Sequence, residues 1–195
     1  MVTTVLVTAV ALLWTAYGRL NRGPHRWHLA TDWDARIPLV KVFVIPYVSA
    51  AVLAPVTVAV LLWWDPALAA STLLSAAITL WVSCLFYRFA QTHVPRPEVP
   101  GHDVFSRMLR KVYQADQPYN CFPSLHNAFA VIISVSWLKF LPWMGVVMTG
   151  WCGLIIASTL LVRQHYVADL LGGVGVACAA CFAAQHMLPA SLGGA

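Results

Sequence analysis

Charged side chains are scarce in this chain of 195 residues. Asp, Glu, Lys and Arg make up 10% of the sequence, and only seven residues are acidic, whereas a soluble globular domain is about a quarter charged. This composition excludes an ordinary water-soluble protein. Hydrophobic residues account for 60% of the chain, and about 20 consecutive apolar residues span a bilayer as a helix. We therefore predict an all-α, polytopic integral membrane protein that forms a single domain over residues 1–195.

Cysteine patterns for disulfides or metals are also lacking. Most of the five cysteines fall inside apolar runs, which does not fit a secreted disulfide framework. Cys178 and Cys181 form a CxxC pair in an Ala-rich segment without a second pair of ligands, so packing is favoured over zinc. No metal, cofactor or nucleic-acid partner is predicted. The first apolar run has no basic residue before it, which favours a retained helix over a signal peptide.

Six helices are predicted from the apolar runs, approximately over residues 2–17, 38–63, 67–90, 124–140, 143–162 and 166–188. If each crosses the bilayer, the segments 18–37, 91–123 and 163–165 lie at one membrane face. That face receives eleven of the twelve basic residues, namely Arg19, Arg22, Arg26, Arg36, Lys41, Arg88, Arg96, Arg107, Arg110, Lys111 and Arg163. The positive-inside rule then predicts that this face is cytoplasmic and that both termini lie outside.

A phosphate site would itself recruit cations, so the charge count has a second explanation. Without the three candidate site residues Arg88, Arg96 and Arg163, eight basic residues still face one, Lys139, on the other side. The remaining basic residues therefore still predict that this face is cytoplasmic.

Two histidines stand in polar motifs at the crowded face, where ionisable groups indicate function. His165 and Asp169 are spaced i,i+4, so the carboxylate can orient the imidazole of a nucleophile; an ordinary buried His–Asp pair is the alternative. His126 follows Pro123-Ser124 just inside a helix start, where a general acid could protonate a leaving oxygen near an anion-binding helix terminus. The alternative there is an incidental histidine beside a helix cap.

Arg96 and Arg163 add permanently charged, planar donors that suit a phosphoryl group. The alternative is that such residues only anchor the protein at the membrane interface. Together, two histidines, one aspartate and two arginines at one face indicate phosphoryl transfer through a phosphohistidine.

These residues resemble the motifs of the type 2 phosphatidic acid phosphatase superfamily, which read K-x6-R-P, P-S-G-H and S-R-x5-H-x3-D. Arg96-Pro97 ends the first motif, and Pro123-Ser124-Leu125-His126 is similar to the second, with Leu in place of Gly. Ser158-Thr159, followed by His165 and Asp169 at the family spacing, is similar to the third. The resemblance covers about residues 80–185. The strings around His126 and His165 look more like the inositol phosphorylceramide synthase branch.

The resemblance implies a role for each matching residue. His165 would be the nucleophile, Asp169 its orienting partner, His126 the acid, and Arg96 and Ser124 would contact phosphate. Phe89 occupies the lysine position of the first motif, and Arg88, one place away, is an additional candidate. Thr159 occupies the arginine position of the third motif, so Arg163 is the candidate substitute.

Three functions are compatible with these residues. The first is a metal-independent membrane phosphatase acting on a lipid phosphate or diphosphate. The second is a phosphotransferase of the same chemistry, in which a lipid or polyol alcohol intercepts the intermediate. The third is a non-catalytic lipid-binding membrane protein, which the intact histidines and aspartate argue against. In the first two, the expected partners are a phosphorylated lipid and the bilayer.

Overall fold

Six long helices dominate the computed structural model, which describes residues 2–23 and 27–188. The helices are α1 (Val2–Leu20), α2 (Asp32–Arg36), α3 (Val44–Trp64), α4 (Pro66–Phe89), α5 (Val104–Ala115), α6 (Leu125–Phe140), α7 (Pro142–Leu161) and α8 (Val167–Met187). A 3₁₀ turn over Lys41–Phe43 leads into α3. The described residues contain isolated β-bridges but no strand. The all-α prediction is confirmed.

The six predicted spans correspond to α1, α3, α4, α6, α7 and α8. The boundaries agree to within about three residues, except that α3 begins at Val44, six residues later than predicted, after the 3₁₀ turn. Five of these, counting the 3₁₀ turn with α3, are long and apolar enough to cross a membrane. The exception is α6, whose 16 residues give a length of about 24 Å at 1.5 Å per residue. The chain is a multi-pass integral membrane protein.

Helix α6 lies at the centre of the bundle, in contact with α3, α4, α7 and α8. Its neighbour α4 buries many Ala, Ser and Thr residues, and small side chains let helices approach closely where lipid removes the hydrophobic drive to associate. Side-chain hydrogen bonds join α6 to three of these helices, and from α7 Thr159 Oγ1 donates to Asn127 Oδ1 at 3.2 Å. The hydroxyls of Thr72 and Ser136 are 2.8 Å apart, and Trp137 Nε1 donates to Thr57 Oγ1 at 2.9 Å. Helix α1 packs on α4 and buries none of its residues.

The two short helices were not predicted, and both lie in segments of the basic face. Asp103 caps α5 by accepting the Ser106 N–H, and its carboxylate also binds Lys41 Nζ at 2.7 Å. Asp34 in α2 accepts the Val167 N–H at the start of α8. These bonds, together with that of Val40 N–H to the Leu161 carbonyl, bring the predicted basic segments to one end of the bundle. Arg26 lies outside the described residues.

A close approach between α8 and the start of α6 holds the two histidine motifs together. Gly173 permits it, because a Cβ at this position would lie 2.3 Å from the Ser124 carbonyl oxygen. The Ser124 N–H in turn donates to the Asp169 carbonyl at 3.0 Å. Any side chain at residue 173 must therefore push the His126 motif away from the His165 motif.

We expect Gly173→Ala to destabilise the protein by about 1–3 kcal/mol, the usual cost of overpacking, and to lower any activity of the site. Gly175→Ala is the matched control, since a Cβ at Gly175 in the same helix meets no atom within 4 Å. Thermal unfolding of both variants in detergent measures the difference. Equal melting temperatures for the two variants would contradict the close packing.

Candidate active site

His165 lies in the short connection between α7 and α8. Helix α7 ends where Arg163 adopts a left-handed conformation, with φ of 55°, and the N–H groups of Gln164 and His165 both donate to the Thr159 carbonyl. This tight turn presents His165 immediately before the first turn of α8. The sequence expectation that the motif ends one helix and begins the next is confirmed.

Asp169 stands behind His165 as the i,i+4 spacing predicted. Its Oδ2 accepts the Tyr166 N–H at 2.8 Å, which anchors the carboxylate in the first turn of α8. The same oxygen is 3.5 Å from His165 Nδ1, just beyond a good hydrogen bond. The Asp169 side chain is 1% exposed and that of His165 is 9% exposed. The carboxylate is therefore held where a small rotation of the imidazole would form the bond.

His126 is brought to the same place by the start of α6. Ser124 is the N-cap residue, and its Oγ accepts the Asn127 N–H at 3.4 Å. The His126 ring, one residue into the helix, has its centroid 6.2 Å from that of His165. Two histidines that are 39 positions apart in the sequence thus face one small region, as predicted.

A tyrosine that the sequence did not indicate completes the surroundings of His126. The ring of Tyr47, from α3, stacks on His126 with centroids 4.2 Å apart and an angle of 21° between the planes. Its hydroxyl is buried and has no hydrogen-bond partner among the described residues. Tyr47 therefore fixes the orientation of the His126 ring and leaves a polar atom available near it.

Arg96 reaches the His165 turn from the segment between α4 and α5. Its Nη1 donates to the carbonyls of Arg163 and Gln164, at 3.3 and 2.9 Å. Its guanidinium also lies 5.6 Å from the ring centroid of Tyr113, within cation–π range. The Nε of Arg96 is buried and unpartnered. Arg96 thus braces the backbone next to the nucleophile candidate and keeps a donor free.

The other predicted phosphate ligands have different surroundings. Arg163 donates through Nη1 to the carbonyls of Asp34 and Ile37, so this nitrogen holds α2 against the turn. Ser124 is fully buried as the α6 cap. Arg88 is exposed and lines a separate cavity with residues at the end of α1. Phosphate contact by these three residues remains a prediction.

Unpartnered polar atoms are concentrated around the two histidines. Ten buried side-chain N or O atoms of the described residues have no hydrogen-bond partner, and seven of them lie in or beside the histidine motifs or on the residues that contact them. These are Tyr47 Oη, Arg96 Nε, Asn127 Nδ2, Gln164 Nε2 and Oε1, His165 Nδ1 and Asp169 Oδ1. Because buried polar groups are normally paired, this arrangement suits a polar or anionic ligand.

Cys121 also borders the site, although its sequence position did not suggest it. Potential ligand atoms of Cys121, His165 and Asp169 all lie within 4.8 Å of one another, which is the kind of group that can hold a metal. Burial, with the nearby Asp169 charge, raises the pKa of the Cys121 thiol to about 12. The thiol is therefore neutral at pH 7 and is not an effective nucleophile itself.

A family model described as the PAP2 superfamily matches residues 18–183. No curated protein and no solved structure matches the chain.

Proposed function

The chain belongs to the PAP2 superfamily, and we propose that it is a membrane phosphatase that removes phosphate from a lipid phosphate or diphosphate through a phosphohistidine. Phosphatase or phosphotransferase activity is what membership of this superfamily supports in general. The phosphohistidine mechanism is supported by the proximity of three side chains. The ring centroids of His126 and His165 are 6.2 Å apart, and Asp169 Oδ2 is 3.5 Å from His165 Nδ1.

The first step is attack of His165 on phosphorus. Asp169 faces Nδ1, so the lone pair of Nε2 attacks and an N–P bond forms while the bond from phosphorus to the lipid oxygen breaks. His126 gives its proton to that oxygen, and the lipid alcohol departs. Arg96, with the donors of Asn127, Gln164 and Tyr47 nearby, stabilises the charge on the transferring phosphoryl group.

The second step returns the enzyme to its starting state. Neutral His126 accepts a proton from water as the water oxygen attacks phosphorus. The N–P bond breaks, its electron pair returns to His165, and inorganic phosphate leaves. If an alcohol occupies the position of the water, the same step transfers the phosphoryl group to that alcohol.

Phosphotransfer is the second candidate because the site is nearly closed. The 9% exposure of the His165 side chain leaves little access for bulk water, and a bound alcohol would compete with it. Pocket shape and water access decide between the two outcomes.

We expect the purified protein to release phosphate from a lipid phosphate in the presence of EDTA. A panel of lipid phosphates, each with and without an alcohol acceptor, separates free phosphate from transferred product. Cys121→Ser is the informative variant, because serine removes the sulfur atom that would bind a metal and preserves most of the packing. Two results together would contradict the proposal: the wild type strictly requires a divalent cation, and Cys121→Ser loses the cation-dependent activity. They would assign the Cys121–His165–Asp169 group to a metal.

Asp169→Asn is expected to slow turnover by about 10²- to 10⁴-fold, because an amide no longer selects the His165 tautomer that exposes Nε2. The amide oxygen can still accept the Tyr166 N–H, so the fold should survive. Asp103→Asn is the matched control, being an exposed carboxylate of α5 that pairs with Lys41. Rate measurements on both variants test the role of Asp169; similar rates would exclude it.

We also propose that the site lies at the cytoplasmic face of the plasma membrane of a bacterial-type cell, on the basis of the positive-inside rule. In intact cells, a His102→Cys variant in a Cys178→Ser background should resist an impermeant thiol reagent until the membrane is opened. Prompt labelling would reverse the orientation.

A further inference from the structure

A cavity of about 330 Å³ lies between the ends of α1 and α4. Three of its seven lining residues are arginines, Arg19, Arg22 and Arg88. Neither catalytic histidine lines it. It is therefore a second basic site at the same end of the bundle as the candidate active site.

The three arginines have no acidic partner in the cavity. The remaining lining residues are uncharged, namely Leu20, Gly23, Tyr87 and Gln91. Within the described ranges, none of the three guanidinium groups forms an ion pair. Asp116 lines a neighbouring cavity that also includes Arg22, and its carboxylate accepts from Asn21 Nδ2 and the Tyr17 hydroxyl. Three positive charges that are concentrated in one cavity and form no ion pair favour an anion there.

Exposed apolar surfaces lead along both helices to the arginines. On α4, Trp81 and Leu85 precede Arg88 at i−7 and i−3, and they are 57% and 41% exposed. On α1, Leu12 precedes Arg19 at i−7 and is 67% exposed. Residues at these spacings share one side of a helix. Arg88 therefore ends an exposed apolar stripe on α4, and Arg19 lies on the same side of α1 as the exposed Leu12.

We propose that this cavity binds the headgroup of an anionic phospholipid, with its acyl chains lying along the exposed sides of α1 and α4. Arg19, Arg22 and Arg88 would bind the phosphate diester and any further headgroup charge, because one guanidinium group can donate to two phosphate oxygens at once. Basic pockets between membrane helices are suited to anionic headgroups. The apolar stripes favour a lipid over free phosphate, which has no chains to bury.

The cavity wall is connected to the loop that precedes His126. Tyr87 donates to the Pro123 carbonyl at 2.6 Å, and Gln91 Nε2 donates to Asn120 Oδ1 at 2.9 Å. Gln91 Nε2 also donates to the Leu20 carbonyl at the end of α1. A lipid that holds α1 and α4 together at this point would therefore support the loop that carries the second histidine motif.

Native mass spectrometry of the purified protein tests the site, with phosphatidylglycerol as the anionic probe and phosphatidylcholine as the zwitterionic one. The wild type should retain one phosphatidylglycerol in preference to phosphatidylcholine. The triple variant Arg19→Gln/Arg22→Gln/Arg88→Gln should lose this preference by about tenfold or more in apparent affinity. The double variant Arg19→Gln/Arg22→Gln, which leaves Arg88 in place, should show an intermediate loss and covers the case in which the triple variant fails to fold.

The matched control removes three charges from the same face outside the cavity. Arg36→Gln/Arg107→Gln/Lys111→Gln changes exposed residues of α2 and α5 and should leave the lipid preference unchanged. Equal binding by wild type and both cavity variants would overturn the proposal. So would an equal loss in the control variant, which would indicate diffuse attraction, or full displacement of the lipid by millimolar inorganic phosphate, which would indicate an anion site without lipid specificity.

Discussion

His165→Ala is expected to reduce turnover by at least about 10³-fold, because it removes the atom that forms the bond to phosphorus. The protein should still fold without the His165 side chain. Its Nδ1 makes no hydrogen bond in the structure, and the adjacent turn is held by the backbone bonds of Gln164 and His165 to the Thr159 carbonyl. The loss should therefore appear in kcat without a matching fall in melting temperature.

A histidine at the same face provides the control. His102 is exposed, and its backbone carbonyl accepts a hydrogen bond from Arg107 Nη1. His102→Ala should keep wild-type turnover with the same lipid phosphate. Retained turnover in His165→Ala would remove His165 from the chemistry, whatever the behaviour of the control.

His126→Ala should separate the two steps of the reaction. With a lipid phosphate, whose alkoxide leaves poorly without a proton, we expect turnover to fall by about 10²- to 10⁴-fold, the usual contribution of a general acid. With nitrophenyl phosphate the leaving group needs no proton, so the first step should still occur. The phosphoenzyme then lacks the base that activates water and should accumulate.

Rapid-mixing measurements make this prediction specific. His126→Ala should give a burst of about one nitrophenolate per active site, followed by slow steady-state release. His165→Ala should give no burst. If His126→Ala loses the first turnover of both substrates equally, His126 serves to position phosphate or hold the loop, and its role as acid is wrong.

The helices that cross the membrane could be predicted because a long apolar run in a bilayer can hardly form anything but a helix. The turns at Trp64-Asp65-Pro66 and Leu141-Pro142 mark where such runs end. Helix α5 was missed because residues 91–123 were interpreted as one loop. Its signal was present: Phe105, Met108, Leu109 and Val112 recur at helical spacing, and all four pack in one cluster after the Asp103 cap. The proximity of the two histidines and Asp169 could be predicted because short motifs and an i,i+4 spacing report local geometry.

The rest of the site depends on contacts between distant segments. Tyr47 reaches His126 from α3, and Cys121 reaches His165 across 44 positions, without a local pattern that announces either contact. Asp34 is similar, since its contact with the start of α8 is evident only once α2 is folded against the turn. Arginine positions were the least predictable, because one long side chain can reach a ligand, a carbonyl or a lipid from the same Cα. Arg163 reaches the Ile37 carbonyl, whereas Arg88 lines a cavity away from the two histidines.

A covalent bond between His165 and phosphorus is the defining step of the proposed reaction, and it can be detected by trapping the intermediate. Protein mixed with labelled lipid phosphate, quenched in base within the first turnover and digested for mass spectrometry, should carry one phosphoryl group on His165. The modification should be labile to acid and absent from His165→Ala. Two results would contradict His165 as the nucleophile. One is phosphate on any other residue, and the other is sustained turnover of the wild type without a phosphorylated His165 at any time point.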